Sequence, residues 1–154
     1  MWLAAHGFEV VGVDVAEQAV SMARRKAGPA GRVTFVHADF LAAGTVAGPF
    51  DFVFDRGTFH VFDEAEQRSR FAARVAELLR PEGYWLSIAG STEGPPREQG
   101  PPRRSALDIV TAIEPALEIV SLRTSEFHDD TREPRAWVCL ARRRTTPAQP
   151  STTR

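Results

Sequence analysis

The chain has 154 residues, one cysteine and a formal net charge of -1, with 43% hydrophobic and 25% charged residues. That suffices for one domain with a sizeable core, and the balanced charge gives no electrostatic reason to expect nucleic acid or an anionic membrane as a partner. The lone Cys139 excludes a disulfide framework within the chain, and no apolar run approaches the ~18 residues of a membrane span, so a cytoplasmic protein is the expectation.

Met1 to His6 reads as the last turns of a helix, stopped by Gly7. Phe8 to Val13 follows as an apolar strand that runs straight into Asp14, a pattern suited to a parallel strand covered on both faces. Ala16 to Ala27 has apolar residues near helical spacing, with Arg24, Arg25 and Lys26 at its negative pole and Gly28–Pro29 as its stop. Val33 to Val36 is a second strand, with Asp39 just beyond it. Phe50 to Phe54 is a third, entered after Gly48–Pro49 and ended by Asp55. Asp63 to Leu79 is a helix with the apolar face Phe71, Val75, Leu78 and Leu79. Asp63 and Glu66 suggest an acidic capping box, and Glu64 with Arg68 and Glu66 with Arg70 are favourable four-apart pairs. Pro81–Glu82–Gly83 turns into a strand from Tyr84 to Ala89. Phe52, Phe54, Trp85 and Trp137 fit core positions.

Gly90 to Arg104 is a long loop rich in Gly and Pro, carrying Arg97, Arg103 and Arg104. It reads either as a lid over the strand ends or as a solvated charged loop. Ser105 caps a short helix that ends near Glu114–Pro115. Leu117 to Leu122 and Arg135 to Ala141 close the chain as strands that can pair antiparallel. His128, Asp129 and Asp130 read as a solvated turn, Arg142, Arg143 and Arg144 as a solvated terminus, and residues 145–154 as a disordered tail. Strands alternating with helices imply a mostly parallel sheet.

Three acids, Asp14, Asp39 and Asp55, fall at the ends of three successive predicted strands. In one parallel sheet those ends share an edge, where open α/β sheets bind their ligands. Asp14 can accept both hydroxyl hydrogens of a ribose. Asp39 can accept from the exocyclic amine of an adenine with Phe40 against the base, and Asp55 can face an ammonium group. The plainer reading is that Asp ends strands and begins turns. His60 follows the third strand and is a candidate general base, or else a ring lodged between Phe59 and Phe62. His6, His37 and His128 show no metal-ligand spacing with one another or with Cys139.

The segments Phe8 to Asp14, Val33 to Phe40, Phe50 to Phe62 and Leu78 to Gly90 together resemble the class I S-adenosylmethionine-dependent methyltransferases. The run Asp55–Arg56–Gly57–Thr58–Phe59–His60 is similar to small bacterial members related to the thiopurine and tellurite methyltransferases. The resemblance implies a Rossmann-like three-layer α/β sandwich over residues 1–144, its mostly parallel sheet closed by an antiparallel C-terminal hairpin. It implies S-adenosylmethionine as cofactor and a small molecule as methyl acceptor. By the same resemblance Asp14 is the ribose acid with Val15 beside the adenine, Asp39 and Phe40 lie at the adenine amine, and Asp55 and Arg56 lie near the methionine moiety.

One departure stands out. The family's first strand and its glycine-rich GxGxG turn should precede Trp2, where the sequence holds only Met1. The expectation is a chain whose start is misassigned or truncated, with a weakened cradle for the cofactor and a tendency to associate through open sheet edges. Two alternatives stay open here: a nicotinamide-dependent oxidoreductase, and a remnant with no catalysis. Against the oxidoreductase, the only tyrosine is Tyr84 and the only lysine Lys26, so no Tyr/Lys pair presents itself.

Overall fold

The computed structural model describes residues 2–28, 31–95, 100–127 and 134–145. The chain forms two compact units that divide between Ala47 and Gly48.

In the first unit, helix α1 (Trp2–Ala5) leads into strand β1 (Val10–Asp14), helix α2 (Glu17–Ala27) and strand β2 (Val33–His37). β1 and β2 are parallel, in register from Val10 opposite Val33 to Asp14 opposite His37. Parallel neighbours need a crossover, which α2 supplies. The helix begins where Ala16 N–H donates to Asp14 Oδ1 at 2.8 Å and ends at Gly28, whose φ of 65° suits a residue without a Cβ. It buries Val20, and Arg24 reaches across to donate to the carbonyl of Phe35 at 2.6 Å. Gly12 makes room for that same residue, since a Cβ there would lie 2.8 Å from the Phe35 ring.

The second unit holds strand β3 (Phe50–Arg56), a single 3₁₀ turn (Phe59–Val61), helix α3 (Ala65–Leu78), strand β4 (Leu79–Gly90), helix α4 (Ala106–Ile113) and strands β5 (Glu118–Glu126) and β6 (Arg135–Arg142). The sheet order is β3-β4-β6-β5, with β3 parallel to β4 and β6 antiparallel to both its neighbours. The expected antiparallel hairpin is therefore present, and its second strand lies inside the sheet. The pairing of β3 with β4 slips where Glu82, at φ 62°, bulges out of β4. One face of the sheet is covered by α3 and α4. There Trp85, fully buried, meets the rings of Phe59 and Phe71 at 5.6 and 5.7 Å, beside Val75, Leu78, Ile109 and Ile113.

Among the described residues β1 pairs only with β2, and β3 pairs on one side only, with β4, which agrees with the expected loss of a central strand. Other expectations are corrected by these coordinates. Phe52 and Phe54 are not core residues but 44% and 50% exposed, because they point to the face opposite Trp85, away from α3 and α4. The capping box at Asp63 and Glu66 does not form, and Glu64 precedes α3 without a side-chain cap. Asp63 instead binds Arg104 at 2.8 Å, and Arg68 bonds the carbonyls of Phe62 and Asp63 and the carboxylate of Asp108 in place of Glu64. The last arginines are also held: Arg142 by Glu118 and Glu82, Arg143 by the carbonyl of Leu79, and Arg144 by Glu114. The expected cap at Ser105 is present as a full capping box with Asp108. Arg97, the turn at His128–Asp130 and the tail beyond Thr145 lie outside the described residues.

Candidate functional site

The first unit brings two of the expected acids to one end of adjacent parallel strands. Asp14 is the last residue of β1, and Asp39 lies two residues past the end of β2. Both are exposed, and each has one carboxylate oxygen engaged two residues ahead: Asp14 Oδ1 by Ala16 N–H and Asp39 Oδ1 by Leu41 N–H, both at 2.8 Å. Such a bond fixes the side chain at the turn and leaves the second oxygen to accept from elsewhere. The two strand ends are tied, since Ala38 N–H donates to the carbonyl of Asp14 and the His37 ring bonds the carbonyl of Val15 at 3.0 Å. Val15 is 71% exposed and Phe40 is half-buried, so apolar surface flanks each carboxylate.

The second unit carries the remaining candidates. Asp55 lies inside β3, opposite Ser87, and is buried. Its Oδ1 accepts from the backbone N–H groups of Thr58 at 3.2 Å and Phe59 at 3.0 Å, and its Oδ2 accepts from the indole N–H of Trp85 at 2.9 Å. Burial pushes this carboxyl above the usual carboxylate range, and the hydrogen bonds pull it part of the way back. Asp55 is thus engaged by the protein on both oxygens. Arg56, the next residue, is exposed, with its guanidinium 4.9 Å from the centre of the Phe127 ring. His60 is buried in the 3₁₀ turn, and its Nδ1 accepts from the backbone N–H of Gly90.

The sequence places Arg104 in a lid or a solvated charged loop, and what it bonds is not legible there. Its backbone N–H donates to Gly90, and its guanidinium bonds the carbonyls of His60 and Phe62 and the carboxylate of Asp63. Its own carbonyl accepts from the indole of Trp137 at 3.0 Å. The long loop from Gly90 is thereby closed at its base, and a bridge between Ser91 and Arg104 marks the closure. Only its position at the end of a Pro-rich loop, next to the capping serine, singled it out in the sequence.

The chemistry of the donor set can be matched to a ligand. Ribose hydroxyls and an adenine amine are hydrogen-bond donors with a flat apolar body between them. Two exposed carboxylates with one free oxygen each, flanked by Val15 and Phe40, fit that pattern.

Residues 1–83, more than half of the chain, match the methyltransferase-domain family. No curated protein matches the chain. Solved structures share its fold. A protein from work on the conversion of a disulfide bond into a thioacetal group during echinomycin biosynthesis is 25% identical with a TM-score of 0.79, covering 93% of this chain and 69% of its own. A SAM-dependent methyltransferase from Methanosarcina mazei is 17% identical with a TM-score of 0.77, covering 93% and 85%. A 1,6-didemethyltoxoflavin-N1-methyltransferase from Burkholderia thailandensis, solved with 1,6-didemethyltoxoflavin and S-adenosylhomocysteine bound, is 20% identical with a TM-score of 0.70, covering 93% and 64%. The family match and the fold define the class as that of the S-adenosylmethionine-dependent methyltransferases. This chain belongs to the methyltransferase-domain family of that class.

Proposed function

We propose that the chain binds S-adenosylmethionine along the strand ends of its first unit and serves methyl transfer to a small-molecule acceptor. The observation that carries this reading is the pair Asp14 and Asp39, each anchored by one backbone N–H and each offering a second oxygen at the same end of two paired strands. Asp14 would accept from the ribose hydroxyls, with the exposed Val15 against the adenine. Asp39 would accept from the adenine amine, with Phe40 beside the ring. Asp55 and Arg56, which the resemblance assigns to the methionine moiety, lie in the second unit, where Asp55 shapes the turn that follows β3. When bound, the cofactor supplies an activated methyl on a sulfonium. The protein's own contribution is to hold the nucleoside, orient the acceptor and exclude water.

An acceptor of small size is supported by the Burkholderia structure, whose bound partner is a small heterocycle. Residues 1–144 would act as one methyltransferase domain. A cytoplasmic setting agrees with the single buried cysteine, and no helix among the described residues is long and apolar enough to cross a membrane. Among the described residues one edge of β1 and one edge of β3 are unpaired, which supports self-association.

The test is calorimetric titration of the chain with S-adenosylhomocysteine, with Asp14→Ala alongside. Removing an acceptor from a charged hydrogen bond costs about 2 kcal/mol, so affinity should fall roughly thirtyfold. Equal affinity of the variant and the parent would refute the role of Asp14.

A further inference from the structure

The ends of β1 and β2 are tied by a side chain at the point where the ladder stops. Asp14 lies opposite His37, and both are exposed on the same face of the parallel pair. Ala38 N–H donates to the carbonyl of Asp14 at 3.0 Å, in the manner of a parallel ladder. The next carbonyl, that of Val15, lies beyond the strand, and the His37 ring meets it through Nε2 at 3.0 Å. A side chain thereby adds one rung to the ladder.

A carbonyl oxygen only accepts, so the ring nitrogen that meets it bears a proton. This holds for the neutral ring and the imidazolium alike. The need for such a donor is local. The bond from Val20 N–H to the carbonyl of Ala16 opens α2, so the carbonyl of Val15 lies outside the helix. Ala16, the N-cap, has no side-chain oxygen to fix the entry of the chain. The turn is held from its flanks: Asp14 Oδ1 accepts from Ala16 N–H at 2.8 Å, and His37 donates to Val15 between them.

We propose that His37 is a positioning residue of the nucleoside site: its bond to the Val15 carbonyl fixes the turn on which Asp14 presents its second oxygen and Val15 its side chain. This role rests on the reading that the edge holds ribose and adenine, whereas the proton on Nε2 does not. Asp14 and Val15 touch the nucleoside in that reading, and His37 acts through them. The bond is exposed, so it adds little to global stability, and its effect falls on the turn. A turn ordered only when ligand arrives draws its ordering entropy from affinity, about tenfold for one backbone residue. The amide nitrogen of glutamine has nearly the reach of histidine Nε2, whereas that of asparagine has the reach of Nδ1. Glutamine can therefore keep the bond, and asparagine falls short of it.

The experiment is calorimetric titration of the parent, His37→Gln and His37→Asn with S-adenosylhomocysteine and with adenosine, together with nitrogen-15 NMR of the His37 ring in the parent without ligand. The parent ring should carry a proton on Nε2. His37→Asn should bind both ligands about tenfold more weakly, by the same factor, because the nucleoside is common to them. His37→Gln should stay within about threefold of the parent. A bare Nε2 in the parent, or equal affinity of the parent and His37→Asn, overturns the positioning role. So does a His37→Gln protein that binds as weakly as His37→Asn. Should His37→Asn fail to fold, the parent ring and His37→Gln still decide: a bare Nε2, or a Gln variant about tenfold weaker than the parent, sinks the role. A parent that binds neither ligand removes the functional reading and the role with it. A parent that binds both while the His37 variants match it removes the role alone.

Discussion

The carboxylate of Asp55 and the indole of Trp85 meet at 2.9 Å in the interior of the second unit, across neighbouring strands. Asp55→Asn would keep an oxygen for the amides of Thr58 and Phe59 but turn an N–H₂ toward the indole N–H. Two buried donors then face each other, at a cost of roughly 2 kcal/mol. A double-mutant cycle with Trp85→Phe should show a coupling of about 1 kcal/mol or more in denaturant unfolding. Purely additive costs would dissolve the proposed link.

The pH dependence of stability should carry two opposed contributions. Burial raises Asp55, so the folded state holds its proton more tightly than the unfolded chain does. The ionised group then weakens folding as pH rises past the ordinary 3.8 and through the raised folded value. For Asp108 burial acts upward too, yet the Ser105 bonds and the charges of Arg68 and Arg104 bring it below the usual range. Its stabilisation is complete above 3.8 and is lost as pH falls from there through the lowered folded value. Thermal melts of Asp108→Asn should lose part of the acid-side decline seen in the parent. An identical pH profile would show that Asp108 contributes nothing to it.

Cys139 is buried, and burial together with the nearby charge of Asp55 pushes its thiol up to about 12. At neutral pH the folded chain should resist alkylation, and labelling should keep step with unfolding in denaturant. Rapid stoichiometric labelling of the native protein would contradict this placement.

Phe52 and Phe54 expose two rings on the face of β3 opposite Trp85, next to Tyr84 at 36% exposure, and among the described residues one edge of the same strand is unpaired. Light scattering should report association that grows with concentration and weakens in Phe54→Glu. A monomer at all concentrations would remove self-association from the proposed function.

Where the local sequence and the tertiary structure agree, the reading from residues was accurate. Gly28 ends α2 and Ser105 begins α4 through bonds made within a few residues, and the apolar strands and their closing hairpin follow from periodicity. What stayed illegible depends on distant partners. Asp63 has the spacing of a capping acid, but Arg104, forty-one positions on, claims its carboxylate. Asp55 looks like an acid ending a strand, and it becomes a buried anchor because Trp85, thirty positions away, points its indole at it. Asp14 and Asp39 were legible as a pair because adjacent strands carry them. No spacing rule reveals that Arg104 bonds the backbone of both His60 and Gly90.

The position of β6 between β4 and β5 bears on how the second unit is assembled. A ribosome that has delivered everything through Glu126 has made β4 and β5 without the ribbon that joins them, so the sheet can zip only after Arg142 has emerged. Nascent chains halted before Arg135 should be open to protease along β5, and protection should arrive in one step once β6 has cleared the exit tunnel.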